Sequence, residues 1–186
     1  LGYAGKPLLL LRFVFLYVLL AGLVVASWMV QPSLSLIVFL GISIVHFGLG
    51  DARATRGWFR LVQAVAHGGI IVAGISQSHR PEVDQIFGYL IGGDTATVWM
   101  AVDLMSAIIG AAFLVYAWRA FWDVQWRLGV LEMLFALLLI ALLPPLVSFA
   151  LYFCCVHSVR HLSGIWRSVG SIFGPPILYA QAIIFT

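Results

Sequence analysis

Residues 8–30 read LLLLRFVFLYVLLAGLVVASWMV, twenty-three positions with a single charge, Arg12. Coiled as a helix, this stretch rises roughly 35 Å, enough to cross a hydrocarbon core about 30 Å thick. A helix on the surface of a soluble domain keeps one polar face, and this one has none to offer. The stretch is also longer than a signal-peptide core, and no convincing cleavage site follows it. It reads as a membrane span.

Five more stretches of the same kind follow, over residues 33–50, 59–76, 97–118, 127–143 and 146–166. Gln31-Pro32 turns the chain after the first span and Pro144-Pro145 stops the fifth, because proline cannot continue a helix. Strands with open edges would leave backbone groups unsatisfied in lipid, so the spans must be helices. The expected fold is therefore all-α, a polytopic transmembrane bundle of six spans in one domain over residues 1–186, with a seventh span begun at 177–185. Both ends look cut from a longer protein. Between the third and fourth spans lies a polar stretch, 77–95, in which 86–91 is expected to form a short interfacial piece.

Composition agrees. Ten basic and seven acidic residues among 186, with 63% hydrophobic, fall far short of the roughly 25% charge that a wet surface uses. A soluble domain and a nucleic-acid-binding domain are both excluded, and the net charge of +3 becomes an orientation signal. With the N-terminal side cytoplasmic, Lys6, Arg12, Arg53, Arg56, Arg60, Arg119, Arg127 and Arg167 all fall on that side, whereas Arg80 lies outside among Glu82, Asp84 and Asp94. The sequence thus predicts a multi-pass protein of the cell membrane, surrounded by lipid. Cys154 and Cys155 are adjacent, a spacing that rarely bridges, and are expected to be packing residues.

Ionisable groups inside spans are costly and mark function by default. Here they are His46, His67, Asp103, Glu132, His157 and His161. His157 and His161, four residues apart, project from one helix face one turn apart, a spacing that can chelate a metal ion or simply hydrogen-bond neighbours near the interface. The predicted topology puts His46 at a matching depth, which tips the balance toward metal. His46 sits in His-Phe-Gly-Leu-Gly-Asp, whose glycines admit a close helix or ligand. Asp51 either orients an imidazole or caps its span. His67, in Ala-His-Gly-Gly, is either a site residue or a core histidine bonded to a carbonyl. Glu132 is a candidate acceptor for a ligand N–H. Asp103, at the other depth, reads as a structural hydrogen-bonding group. Neutral imidazoles with no carboxylate among them suit iron, copper, zinc or haem.

At these residues the chain resembles the Brp/Blh family of membrane-embedded β-carotene 15,15′-dioxygenases. The likeness rests on Ile44-Val45-His46-Phe47-Gly48-Leu49-Gly50-Asp51, Ala66-His67-Gly68-Gly69 and Pro144-Pro145-Leu146-Val147. It rests above all on Tyr152-Phe153-Cys154-Cys155-Val156-His157-Ser158-Val159-Arg160-His161. What the resemblance implies is a non-haem Fe(II) enzyme that cleaves lipid-dissolved β-carotene centrally with O₂ into two retinals, which a rhodopsin could then receive. Of the family's four histidine ligands, three carry over to His46, His157 and His161. The fourth belongs to a Pro-His-Gly-Ala-type motif, and no Pro-His-Gly occurs in this sequence. His67 is expected not to stand in for it. Phe47, Tyr152 and Phe153 are candidates to face substrate, with His67, Glu132 and Asp51 behind the ligands. Two other readings stay open: a non-catalytic carotenoid- or retinal-binding membrane protein, and an electron-transfer protein holding haem between two histidines.

Overall fold

A computed structural model describes residues 7–52, 57–163 and 166. The predicted start of a seventh span, 177–185, and Lys6, Arg53, Arg56 and Arg167 lie outside the described residues. Among those described, six helices are long and apolar enough to cross a membrane. In chain order the helices are α1 (Pro7–Val30), α2 (Pro32–Asp51), α3 (Trp58–Ser78), α4 (Arg80–Ile91), α5 (Ala96–Trp122), α6 (Arg127–Leu142) and α7 (Pro145–Leu151). The helix α7 runs on through a π-helical segment, Tyr152–His157, to complete a span of Pro145–Ser163. All but α4 are spans.

The breaks have local causes. Pro32 opens α2 and Pro145 opens α7, each in the first turn, where a missing N–H removes nothing. Gly92 closes α4 with φ +68°, a left-handed conformation that glycine adopts without strain, and its N–H returns to the Gly88 carbonyl. The short piece expected at 86–91 is the second half of α4. The helix begins six residues earlier, at Arg80, with Pro81 in its first turn and Glu82 placed favourably toward the positive end of the helix dipole.

The helix α3 is the hub. Two-thirds of its span is buried, against none of α1, and it packs on α2, α5, α6 and α7. Small residues make this possible. A Cβ on Gly48 would collide with the Ala64 carbonyl, and one on Gly68 would collide with the Ile44 carbonyl. The backbones of α2 and α3 therefore touch, as small-residue stripes permit in membranes. Gly69 does the same for α5, receiving the Ile109 side chain.

The two ends of the bundle differ. At one, Phe59 stacks on Tyr116, Trp126 meets both rings edge-on, and the Arg119 guanidinium lies over Phe59 at 4.8 Å. At the other, Arg80 pairs with Asp103 at 3.0 Å and covers Trp99, while Asp84 accepts hydrogen bonds from Thr95 and Trp99. Asp103 is thus a structural partner, held by Arg80 and Gln77. Nearby, α6 stops as Leu143 turns to extended backbone, which leaves the Ile140 carbonyl without a helical partner, and His79 Nε2 supplies an N–H from just beyond α3 at 2.6 Å.

Candidate functional site

The last turns of α2 and the π-helical end of the sixth span meet at the Tyr116 end of the bundle. A π turn closes on residue i+5, so it brings Tyr152 and His157, five apart, toward one face where an α-helix would set them apart. Their rings lie 6.2 Å from each other, and Phe153 stacks on His157 at 5.7 Å. The sequence predicts an uninterrupted α-helix here, and this π segment is what it missed.

His157 is the centre of the cluster. Its ring lies 5.5 Å from His46 on α2 and 6.3 Å from His161, the latter nearly parallel at 6°. Phe47 meets it edge-on at 4.9 Å. The two glycines beside His46 serve separate neighbours. Gly48 admits the α3 backbone, and Gly50 admits the His157 ring, whose Cε1 would lie 3.4 Å from an added Cβ.

Two rings that ligate one ion lie about 4.5–6.5 Å apart centroid to centroid, given metal–nitrogen bonds near 2.1 Å. Both measured separations fall in that range. His157 Nδ1 is buried with no hydrogen-bond partner, an arrangement that costs free energy and suits a ligand nitrogen. Among the described residues, no three His, Cys, Asp or Glu side chains already converge closely enough to hold a metal. The donor types suit a metal, and the two ring separations around His157 are compatible with one, whereas three donors would have to draw closer to share it.

Behind the imidazoles lies an ionic cluster. Arg160 reaches Asp51 at 3.3 Å and Glu132 at 3.1 Å, and the Tyr152 hydroxyl donates to Asp51 at 2.8 Å. Asp51 thus joins α2, which carries His46, to the helix that carries His157 and His161. Glu132 meets a guanidinium. Arg160 was the residue that sequence reasoning passed over. The signal was present, since an arginine inside a span needs a carboxylate, and Asp51 and Glu132 are the carboxylates at its depth.

His67 is buried on α3, with Nδ1 bonded to the Gln63 carbonyl at 3.0 Å and its ring edge-on to Tyr116. A carbonyl only accepts, so Nδ1 carries the proton in that bond. His67 also lines a cavity of about 280 Å³ between α3, α6 and the sixth span, together with Asp51, Glu132, Tyr152 and Arg160. Cys155 lies on its wall, and both cysteines are free thiols.

Comparison with known proteins gives a consistent result. The Beta-carotene 15,15'-dioxygenase family profile matches residues 2–174. A Beta-carotene 15,15'-dioxygenase from an uncultured marine bacterium, 66A03, is 29% identical over 171 residues, covering 92% of this chain and 62% of the relative. The Probable beta-carotene 15,15'-dioxygenase Blh of Halobacterium salinarum is 26% identical over 180 residues, covering 84% of this chain and 52% of the relative. The chain thus spans between half and two-thirds of the length of these relatives. No solved structure matches it.

Proposed function

The chain belongs to the Beta-carotene 15,15'-dioxygenase family, and from that membership we propose that it carries the site where membrane-dissolved β-carotene is cleaved centrally with O₂ into two retinals. The observation that supports this most is the contact of three imidazoles from two spans around His157, whose Nδ1 is buried without a hydrogen bond. His46, His157 and His161 would hold a non-haem Fe(II) ion, which when bound supplies activation of O₂. Phe47, Tyr152 and Phe153 surround His157 with ring faces and edges that can flank a polyene. Asp51 holds Tyr152 and Arg160, and so fixes one helix of the site against the other.

A site inside a bundle of spans suits a substrate and an oxidant that both dissolve in hydrocarbon. The protein is proposed to lie in the cell membrane with the N-terminal side of this chain cytoplasmic, so that the histidines sit in the cytoplasmic half. Retinal released there enters the bilayer, where a rhodopsin can take it up.

The test is retinal formation in bacterial cells that make β-carotene, with iron analysis of the purified protein. Retinal should appear with the intact sequence and vanish with His161→Ala. Iron should be lost with His157→Ala and kept with His67→Ala. Retinal yield indifferent to His46→Ala and His161→Ala would refute the assignment.

A further inference from the structure

The cavity of about 280 Å³ adjoins the imidazole cluster and shares Tyr152 with it. Its two ends differ. At one lie Asp51, Glu132 and Arg160, the one guanidinium bridging the two carboxylates. At the other lie Ile140 and Ser148, and the Ser148 hydroxyl already donates to the Leu143 carbonyl at 3.1 Å. Between them the wall is Ile70, Met133, Ala136, Leu139 and Leu151. The long middle of this lining is hydrocarbon and suits an apolar occupant, with the charged groups gathered at one end.

Size narrows the occupant. A dry cavity of about 150 Å³ takes benzene, so one near twice that volume takes about eleven carbons. Eight residues of α6 separate Glu132 from Ile140, which makes the space about 12 Å long. This is the shape of a terminal ring plus the first carbons of its chain. An occupant continuing past Tyr152 arrives at His157. From Ser148 to His157 is nine residues, roughly 13 Å of helix. A C₄₀ polyene about as long as the 30 Å hydrocarbon core has its midpoint about 15 Å from either end.

We propose that this cavity receives one terminal ring of the carotenoid, and that its far wall at Ile140 and Ser148 sets which double bond lies beside His157. The proposal rests on the carotenoid-cleavage reading above. Cleavage of one C=C by one O₂ places one oxygen atom on each fragment, so the two carbonyl products together keep all forty carbons wherever the cut falls, as two aldehydes at the centre and as a ketone and an aldehyde at a methyl-bearing double bond. A ring seated against the far wall gives two equal C₂₀ aldehydes. A shortened cavity, Ser148→Leu, or a lengthened one, Ile140→Ala, slides the chain and gives an unequal pair.

Two measurements test this on the intact protein. The first is the chain length of the aldehydes and ketones formed from β-carotene. Unequal pairs from either variant are expected, and equal halves from both would overturn the proposal. The second needs no turnover. In a Cys154→Ser background, Cys155 on the cavity wall is alkylated with N-ethylmaleimide, with and without β-ionone as the ring probe. Protection of at least fivefold, lost with Ala136→Phe, is expected. Normal retinal formation without any protection would overturn the cavity assignment and leave the cleavage reading standing. Protection without retinal formation would do the reverse.

Discussion

Two glycines two residues apart on α2 should respond oppositely to the same substitution. A methyl on Gly48 collides with the Ala64 carbonyl of α3, and backbone cannot rotate away as a side chain can. Overpacking typically costs about 1–3 kcal/mol, and a clash that must push α2 and α3 away from each other belongs at or above the top of that range. Alanine returns about 1 kcal/mol in helix propensity, leaving Gly48→Ala destabilised by roughly 2 kcal/mol. A methyl on Gly50 meets the His157 ring at 3.4 and 3.7 Å, which is ordinary contact. There the propensity gain of about 1 kcal/mol is the main term, so Gly50→Ala should be neutral or slightly more stable. The two variants should differ by about 3 kcal/mol, two orders of magnitude in the folding equilibrium. Gly22→Ala on α1, with nothing within 4 Å, is the control. The assay is reversible unfolding in mixed micelles titrated with dodecyl sulfate, followed by circular dichroism. If Gly48→Ala and Gly50→Ala unfold within about 0.5 kcal/mol of each other, the α2–α3 backbone contact is not what holds this pair of helices, and the reasoning fails.

Other perturbations follow from single contacts. Arg160→Met strips its cation from Asp51, whose side chain is 3% exposed, and should cost about 3–5 kcal/mol in the same titration, most of it recovered when Asp51→Asn and Glu132→Gln are added. His79→Ala orphans the Ile140 carbonyl and should cost about 1–3 kcal/mol in the same titration. Hydrogen bonds from Thr95 and then Trp99 hold the Asp84 carboxyl below its usual value. A depressed carboxyl stabilises the fold above its unfolded pKa of about 3.9, and that contribution is lost as pH falls through the lower folded value. The change in Trp99 emission, taken as the difference from Trp99→Phe, should therefore occur below about pH 4 and be absent from Asp84→Asn.

Much of the fold was legible because lipid leaves so few options. The spans at 8–30 and 127–143 and the breaks at Pro32 and Pro144-Pro145 came from apolar length and proline chemistry alone, and the helices match them to within a residue. The parallel stacking of His157 and His161 likewise follows from four-residue spacing. The first half of α4 was hidden because Arg80, Glu82 and Asp84 read as loop, although Pro81 and Glu82 are also what a helix start prefers. Nor could the meeting of Tyr152 with Asp51 be read off the chain, since the two are 101 residues apart and touch only once α2 and the sixth span pack. The π turn leaves no mark in hydrophobic periodicity.

That turn has an evolutionary meaning as well. A π segment amounts to an α-helix that has swallowed one extra residue, the surplus being absorbed as a bulge so that the helix beyond keeps its course. The pair Cys154-Cys155 sits within the bulge, and Cys155 lines the cavity. The surplus belongs to the segment Tyr152–His157 as a whole. Removing one residue from that segment should restore α geometry from Pro145 to Ser163 and leave Tyr152 and His157 four positions apart, still on one face. The bulge thus absorbs a residue without parting the two rings that meet at the site.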